Sequence, residues 1–328
     1  MSKKQQDTGP ARLSPDELVE IKRQGREEGA QADKVISDNP KSLVVKGRYK
    51  YKDVVVKTYK IRPDRQHIVY YETEREFLRN TPKHENIIKL RGYFDANCTI
   101  VVDLLCKDVQ DALRDGDIDA EKMINIFKDT AKALQWIHTN KKVYGDLKPE
   151  NILLDRNNNA ILADFDSVVD KDNTVAVFSD AYASPEVANR KPSSSAADVF
   201  SLGKMMLRMM MQQELDPIVE LGISRRGAHN SEKDPKQGIV AQALSTNNAL
   251  DVKYKDKFDT KHGCEMTLLA RNCADLKASA RPTTQKILDE LETYKVITEP
   301  IDPTLLPNPN RETMAKGEGS SSRGGKLK

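Results

Sequence analysis

Cysteine is scarce: Cys98, Cys106, Cys264 and Cys273 are all there is in 328 residues. No two stand at metal-ligand spacing and no set forms a disulfide framework, so the expectation is reduced thiols in a cytoplasmic protein, with the nucleus also open to it. Charge of one sign is missing too. The 53 basic and 50 acidic side chains leave a formal net charge of +3, which does not point to nucleic acid or anionic membrane as the main partner. No apolar run is long enough to span a bilayer. The amino-terminal MSKKQQDTGP has no apolar core of a secretory signal, its second residue is serine, and the last four residues are GKLK, so neither secretion nor lipidation is expected. Internal repeats are absent.

What is present suffices for a full-sized core: hydrophobic residues make up 38% of the chain and charged ones 31%. After a polar start, Ser14-Pro15-Asp16-Glu17 reads as a helix start, with a cap, a proline in the first turn and acids near the positive end of the dipole. Leu18, Val19 and Ile21 give that helix only a weak apolar stripe, which suits an accessory helix or a partner-binding segment. Leu43-Val44-Val45 and Val54-Val55-Val56 predict paired antiparallel strands. A helix is expected over 66–80, with Val69, Thr73 and Phe77 on one stripe, and a strand at Ile100-Val101-Val102. Met123, Phe127, Leu134 and His138 recur at helical spacing. Ile152-Leu153-Leu154 and Ala160-Ile161-Leu162 flank a hairpin turn. From Asp198 the chain reads as helix through Met205, Met206, Met209, Met210 and Met211. Those thioethers could bind a soft metal, but core filling is the better reading. Strands lead and helices follow, so two lobes are expected with the chemistry between them. GEGSSSRGGKLK reads as a flexible tail.

The chemistry concentrates in Asp146-Leu147-Lys148-Pro149-Glu150-Asn151, which feeds a strand, and in Asp164-Phe165-Asp166 thirteen residues beyond Asn151. An acid, a lysine, an asparagine and a second acid are what phosphoryl transfer from a metal-bound nucleotide needs. One carboxylate orients the attacking hydroxyl, the lysine neutralises charge on the moving group, and asparagine and the second carboxylate hold the metal.

From about Ile36 to Tyr294 the sequence resembles the eukaryotic protein kinase family. The resemblance implies an α+β bilobal fold: an antiparallel N-lobe sheet with one helix over 36–103, and a mainly helical C-lobe over 107–296. Residues 1–35 would be a polar, partly helical extension and 297–328 a disordered tail. It further implies Asp146 as catalytic base, Lys148 as phosphate contact, and Asn151 and Asp164 as metal ligands. Lys57 would hold the α and β phosphates of ATP, paired with Glu74 rather than Glu76. Val102 matches the gatekeeper. Ile36, Val44, Val55 and Leu153 would enclose adenine, and Asp103 to Leu105 would pair with it through the backbone. Ser184-Pro185-Glu186 matches the end of the activation segment, with Glu186 paired to Arg281. ATP and Mg²⁺ or Mn²⁺ are the implied cofactors and a protein the implied substrate. Lys148, together with Ser179 three residues before Tyr182, is the serine/threonine pattern. Arg91-Gly92-Tyr93 and Leu268-Leu269-Ala270-Arg271-Asn272-Cys273 are similar to the tyrosine-kinase-like and receptor-like branch.

Four departures stand out. Ser37, Asn39 and Ser42 occupy the positions of the phosphate-loop glycines, with Pro40 and Lys41 between, which should weaken the grip on nucleotide. Asp166 replaces the glycine after Asp164-Phe165, as a restraint, an added metal ligand or a tolerated loop acid. Tyr144-Gly145-Asp146 replaces the usual His-Arg-Asp, removing the arginine that reads activation-segment phosphorylation. The stretch between the helix starting near Asp198 and Arg281 is roughly twenty residues longer than expected. The surplus falls at 223–260, as a docking surface for an upstream signalling protein or a plain insert; the N-terminal extension is the other candidate for such a partner. The expected activity is a serine/threonine kinase. The alternative is a pseudokinase scaffold, favoured by the departures. A small-molecule kinase fits Gly145-Asp146 and Asn151 but not Ser184-Pro185-Glu186 with Arg281.

Overall fold

A computed structural model describes residues 9–26, 32–210 and 260–294. Met211, the surplus segment up to 259, and the tail at 297–328 lie outside the described residues.

The N-terminal half is built on a six-stranded sheet. Its strands are β1 (Ala11–Arg12), β2 (Val35–Asp38), β3 (Ser42–Tyr49), β4 (Lys52–Tyr59), β5 (Leu90–Phe94) and β6 (Thr99–Asp103), in spatial order β1-β5-β6-β4-β3-β2. The two β-branched runs of the sequence face each other as expected, with Val45 opposite Val56 and Val44 opposite Lys57. Side chains alternate across a strand. Val54 and Val56 therefore lie on one face of β4, and Val55, Lys57 and Tyr59 share the other, which turns toward the catalytic loop.

The outer face is covered by the amino-terminal segment. Helix α1 (Pro15–Gln24) starts with a full capping box between Ser14 and Glu17, with Pro15 in the first turn, as its sequence predicts. Leu13, Leu18 and Ile21 close over Val45, Val54, Val56 and Val101. Each such buried side chain contributes about 2 kcal/mol, so the weak stripe anchors α1 to the sheet; Val19 is left 63% exposed. The approach is close: a Cβ on Gly25 would lie 2.4 Å from the Lys46 carbonyl oxygen. Strand β1 adds a parallel pairing to the free edge of β5. Residues 11–24 thus extend the expected sheet-and-helix lobe with a strand and a second helix.

Helix α2 (Gln66–Asn80) matches its expected span, but its buried side is rotated from the expected one. Val69 is 52% exposed, while His67, Tyr71, Glu74, Phe77 and Leu78 are buried. The ionic partner of Glu74 on β4 fixes which side of the helix turns in.

The C-terminal half is helical. After β7 (Lys107–Asp108) and α3 (Val109–Arg114), α4 (Ala120–Thr139) runs through its centre, burying Met123, Phe127 and Leu134. Strand β8 (Lys142–Val143) precedes the catalytic loop. The hairpin of β9 (Ile152–Leu154) and β10 (Ala160–Leu162) follows it, and β11 (Val169–Asp170) pairs back on β8. Helices α5 (Pro185–Ala188), α6 (Ser195–Met210), α7 (Thr260–Cys273) and α8 (Thr284–Thr293) complete it. Met205, Met206, Met209 and Met210 are buried in the core, as the packing reading expects. Segment 86–88 ties the halves together: the Ile88 amide donates to the Leu162 carbonyl and the Leu162 amide to that of Asn86, both at 2.9 Å. No helix among the described residues is long and apolar enough to cross a membrane.

Candidate active site

The site forms where the inner face of β4 meets the turn after β10. Lys57 stands between two carboxylates, its Nζ 2.9 Å from Glu74 Oε2 and 2.7 Å from Asp164 Oδ1. The choice of Glu74 over Glu76 follows from helix phase: Glu74 is buried, and Glu76 points outward toward Arg75, Arg79 and Asn80. Glu74 also accepts the Phe165 amide through Oε1 at 3.1 Å, so α2, β4 and the segment after β10 are locked in one arrangement. Burial alone would lower the Lys57 pKa, but Asp164 and Glu74 outweigh it and raise the value above that of an ordinary lysine.

Phe77, Phe165 and Tyr144 form a stack behind this ion pair. The Phe77 and Phe165 rings lie 4.5 Å apart nearly parallel, and Tyr144 meets Phe165 edge-on at 5.4 Å. The Tyr144 hydroxyl donates to the Ala163 carbonyl and, at 3.1 Å, to that of Asp164. Asp164 holds a left-handed backbone, φ +55°, unusual for a residue other than glycine. The bonds to its carbonyl and to Phe165 keep it there.

The catalytic loop hangs on Asp198 of α6. This buried carboxylate accepts the amides of Tyr144 (2.8 Å) and Gly145 (2.9 Å), and His138 Nε2 lies 2.8 Å away. Gly145 has φ +88°, and a Cβ there would lie 2.8 Å from the Ser167 carbonyl oxygen. The activation segment therefore lies against the backbone where the family carries its arginine, and no longer side chain fits without moving it. At the end of that segment, Glu186 meets the fully buried Arg281 with contacts of 2.6 and 3.1 Å.

The acceptor end is equally well assembled. Asp146 Oδ1 accepts the Ser179 amide at 2.7 Å, and Oδ2 accepts Lys148 Nζ at 2.8 Å. Lys148 also donates to Ser179 Oγ at 2.8 Å. Asn151 uses its Nδ2 on the Asp146 carbonyl at 2.9 Å, which leaves the side-chain oxygen to face a cation. Asp164 and Asn151 thus offer hard oxygen donors of the kind a divalent metal beside nucleotide phosphates takes. Burial would raise the Asp164 pKa, but Lys57 and Lys41 reverse this and hold it below its usual value.

Of the expected adenine-side residues, Val44 and Val55 share the inner sheet face with Lys57, and Val102 pairs with Val55 on that face. Ile36 lies at a bulge in β2 and is 48% exposed. Leu153 is in mid-strand on β9. The Asp103 carboxylate turns to Arg91, 2.5 Å from its Nε and 2.6 Å from its Nη2. An open groove of about 800 Å³ lies beyond Asp103 and Leu105, lined by Thr81, His84, Lys89 and Arg91; it does not reach Lys57 or Asp164.

The sequence assigns no role to Tyr59 or Lys41, and it marks Asp166 only as a restraint, an added metal ligand or a tolerated loop acid; the structure places all three in the site. Tyr59 donates to Glu74 and, at 3.1 Å, to Asp166. Its signal was its place two residues after Lys57, on the same strand face. Lys41, from the β2–β3 turn, pairs with Asp166 and lies 3.9 Å from Asp164 Oδ2. Asp166 itself is buried between Lys41, Lys57 and Tyr59. Burial and the charge of Asp164 raise its pKa above the usual carboxylate value. Glu74, Asp164 and Asp166 bring carboxylate oxygens within 4.8 Å of one another, with Lys41 and Lys57 set among them.

The comparisons agree with this geometry. The membrane-associated tyrosine- and threonine-specific cdc2-inhibitory kinase wee-1.3 of Caenorhabditis briggsae is 34% identical over 160 residues, 45% of this chain and 24% of its own. The protein of the same description from Caenorhabditis elegans is 30% identical over 155 residues, 45% of this chain and 23% of its own. A G-type lectin S-receptor-like serine/threonine-protein kinase of Arabidopsis thaliana is 23% identical over 256 residues, 72% of this chain and 30% of its own. The chain thus spans less than a third of the length of these relatives. The model of the protein kinase domain matches residues 41–291, and the chain belongs to the protein kinase family.

Proposed function

We propose that this chain is a serine/threonine protein kinase that transfers the γ-phosphoryl of ATP to protein hydroxyls. The observation that carries this reading is the simultaneous assembly of both ends of the reaction: Lys57 held between Glu74 and Asp164, and Asp146 held by Lys148 and Ser179. A scaffold without chemistry has no need of both, so the pseudokinase alternative is not favoured.

Each residue has a physical role. Lys57 supplies positive charge for the inner phosphates, fixed by Glu74 so that no reorganisation is needed on binding. Asp164 and Asn151 are suited to hold Mg²⁺, for which all-oxygen ligation is the preferred environment; the bound metal would offset charge on the phosphates. Asp146 orients the acceptor hydroxyl and takes up its proton, and Lys148 balances the charge that develops between donor and acceptor. Ser179, bonded to both Asp146 and Lys148, borders the acceptor position and favours a short aliphatic hydroxyl there.

The same reading makes proteins the substrates; the proposed setting is the cytoplasm or the nucleus. It assigns any upstream signalling protein to the N-terminal extension or to 223–260. On α1 such a protein would meet the polar side, since Leu18 and Ile21 are spent on the sheet. Acceptor peptides differing only in Ser, Thr or Tyr at one position test the reading, with Asp146→Asn as the blank. Transfer to Ser or Thr above the blank is expected. Transfer to Tyr alone, or equal transfer by the blank, would overturn it.

A further inference from the structure

The β2–β3 turn is the place where this family cradles phosphate with backbone amides freed by glycine. Here those amides are committed to the turn itself. The Asn39 amide donates to the Ser42 carbonyl at 3.1 Å. Pro40 has no N–H. The amides of Lys41 and Ser42 both donate to Asn39 Oδ1 at 2.9 Å. A run of amides that already serves an Asx-type turn has no donors left to form an anion nest. The phosphate charge must then be met by side chains.

One side chain from the turn is in position to do so. Lys41 reaches down from the tip, 27% exposed, to pair with Asp166, and its Nζ lies 3.9 Å from Asp164 Oδ2. The Tyr70 ring of α2 lies 5.0 Å beneath it, and the Lys41 carbonyl accepts the Lys60 amide at 3.0 Å, which fixes the base of the side chain. Two lysines therefore converge on Asp164, Lys57 from β4 of the sheet and Lys41 from the β2–β3 turn. Asp166 has the geometry of an anchor for Lys41: it is 2% exposed in its side chain, and it is held in turn by Tyr59 and Ser167. The two departures from the family pattern, loss of the turn glycines and gain of Asp166, meet in one contact.

We propose that Lys41 is a second phosphate-binding lysine, positioned over the metal-ligand carboxylate by Asp166, and that it replaces the glycine-loop amides in gripping the phosphates of a nucleoside di- or triphosphate. The inference rests on the kinase reading and deepens it. A backbone nest is indifferent to side-chain substitution, whereas this grip depends on a single ammonium group.

Calorimetric titration of the full chain with adenosine, ADP and ATP in the presence of Mg²⁺ tests it, with the natural sequence, Lys41→Met and Lys41→Arg compared. Loss of one charge-assisted phosphate contact is worth about tenfold or more in affinity. Lys41→Met is expected to lose that factor for ADP and ATP and to leave adenosine unchanged, with adenosine binding also reporting that the variant is folded. Lys41→Arg is expected to restore most of the loss. Unchanged or tighter ATP binding by Lys41→Met would overturn the proposal, tighter binding by identifying the Lys41–Asp166 pair as an obstruction. So would an equal loss for adenosine, or an arginine variant as weak as methionine. If the natural sequence bound none of the three, the kinase reading itself would fall. If it bound ATP and Lys41→Met bound it equally, only the role of Lys41 would.

Discussion

Replacing Arg281 by methionine removes a guanidinium whose side chain is fully buried and leaves Glu186, 17% exposed, without its partner. Three carbonyls lose their donor as well: Asp275 at 2.7 Å, Ala196 at 2.8 Å and Leu276 at 3.3 Å. Deleting one member of a buried pair costs about 3–5 kcal/mol. The residual exposure of Glu186 puts this site at the lower end, about 3 kcal/mol, or a fall of about 6–12 °C in melting temperature for a domain of this size. The pH dependence gives a sharper test. Burial raises the Glu186 pKa, but the Arg281 hydrogen bonds reverse this and hold it below the usual glutamate value. In the natural sequence the pair therefore stabilises the fold above the unfolded-state pKa, and this is lost as pH falls through the lower folded value. In Arg281→Met burial is opposed only by the Glu186 amide and the Ser184 hydroxyl, so the folded pKa rises above that of the natural sequence, and the difference between the two proteins is fully present at neutral pH and shrinks on acidification. The stability gap between the two proteins, read from urea unfolding, should narrow steadily from pH 7 toward pH 4. Adding Glu186→Gln should recover about 1 kcal/mol or more at neutral pH. A gap that is constant with pH, or below about 1 kcal/mol at pH 7, would refute the reasoning.

Asp198→Ala leaves the buried amides of Tyr144 and Gly145 without an acceptor. At about 1–3 kcal/mol per buried donor, both stability in urea and phosphoryl transfer should fall; transfer at the natural level would show that the loop does not hang on this carboxylate. Gly145→Ala must hold φ +88° and place its Cβ 2.8 Å from the Ser167 carbonyl oxygen. It is expected to cost about 1–3 kcal/mol in thermal unfolding, and a neutral result would contradict the close approach. Thr174→Ala should keep most of its activity, because no arginine follows Tyr144 to read a phosphate in this segment. A large loss in an assay of initial rates would show that phosphorylation there is required.

The strands, the central helix and the catalytic constellation were legible because they depend on local signals. Short β-branched runs mark the strands, α4 carries a 3.6-residue apolar period, and Asp146, Lys148, Asn151 and Asp164 stand at separations set by one loop and one hairpin. The inward side of α2 was not legible from apolarity, because a buried carboxylate, Glu74, sets it and Val69 is pushed out. The packing of α1 was obscured for a similar reason: Leu18 and Ile21 are too few to show a period, and the partners that bury them come from β3, β4 and β6. Asp166 and Lys41 could each be seen as departures from a pattern. Their contact could not, since it joins residues 125 positions apart in sequence across the gap between the lobes. Gly145 likewise read as a missing arginine, while the structure gives it a positive φ and a neighbour against its backbone.

The central claim is that the two assembled ends, around Lys57 and around Asp146, constitute a working phosphoryl-transfer site. It is tested most directly by measuring transfer of label from γ-labelled ATP with Mg²⁺, to the protein itself and to a generic basic acceptor, beside Lys57→Met and Asp146→Asn. Label on serine or threonine that both substitutions abolish is the predicted result. No label from the natural sequence while ATP is bound, or label that persists in Asp146→Asn, would contradict it.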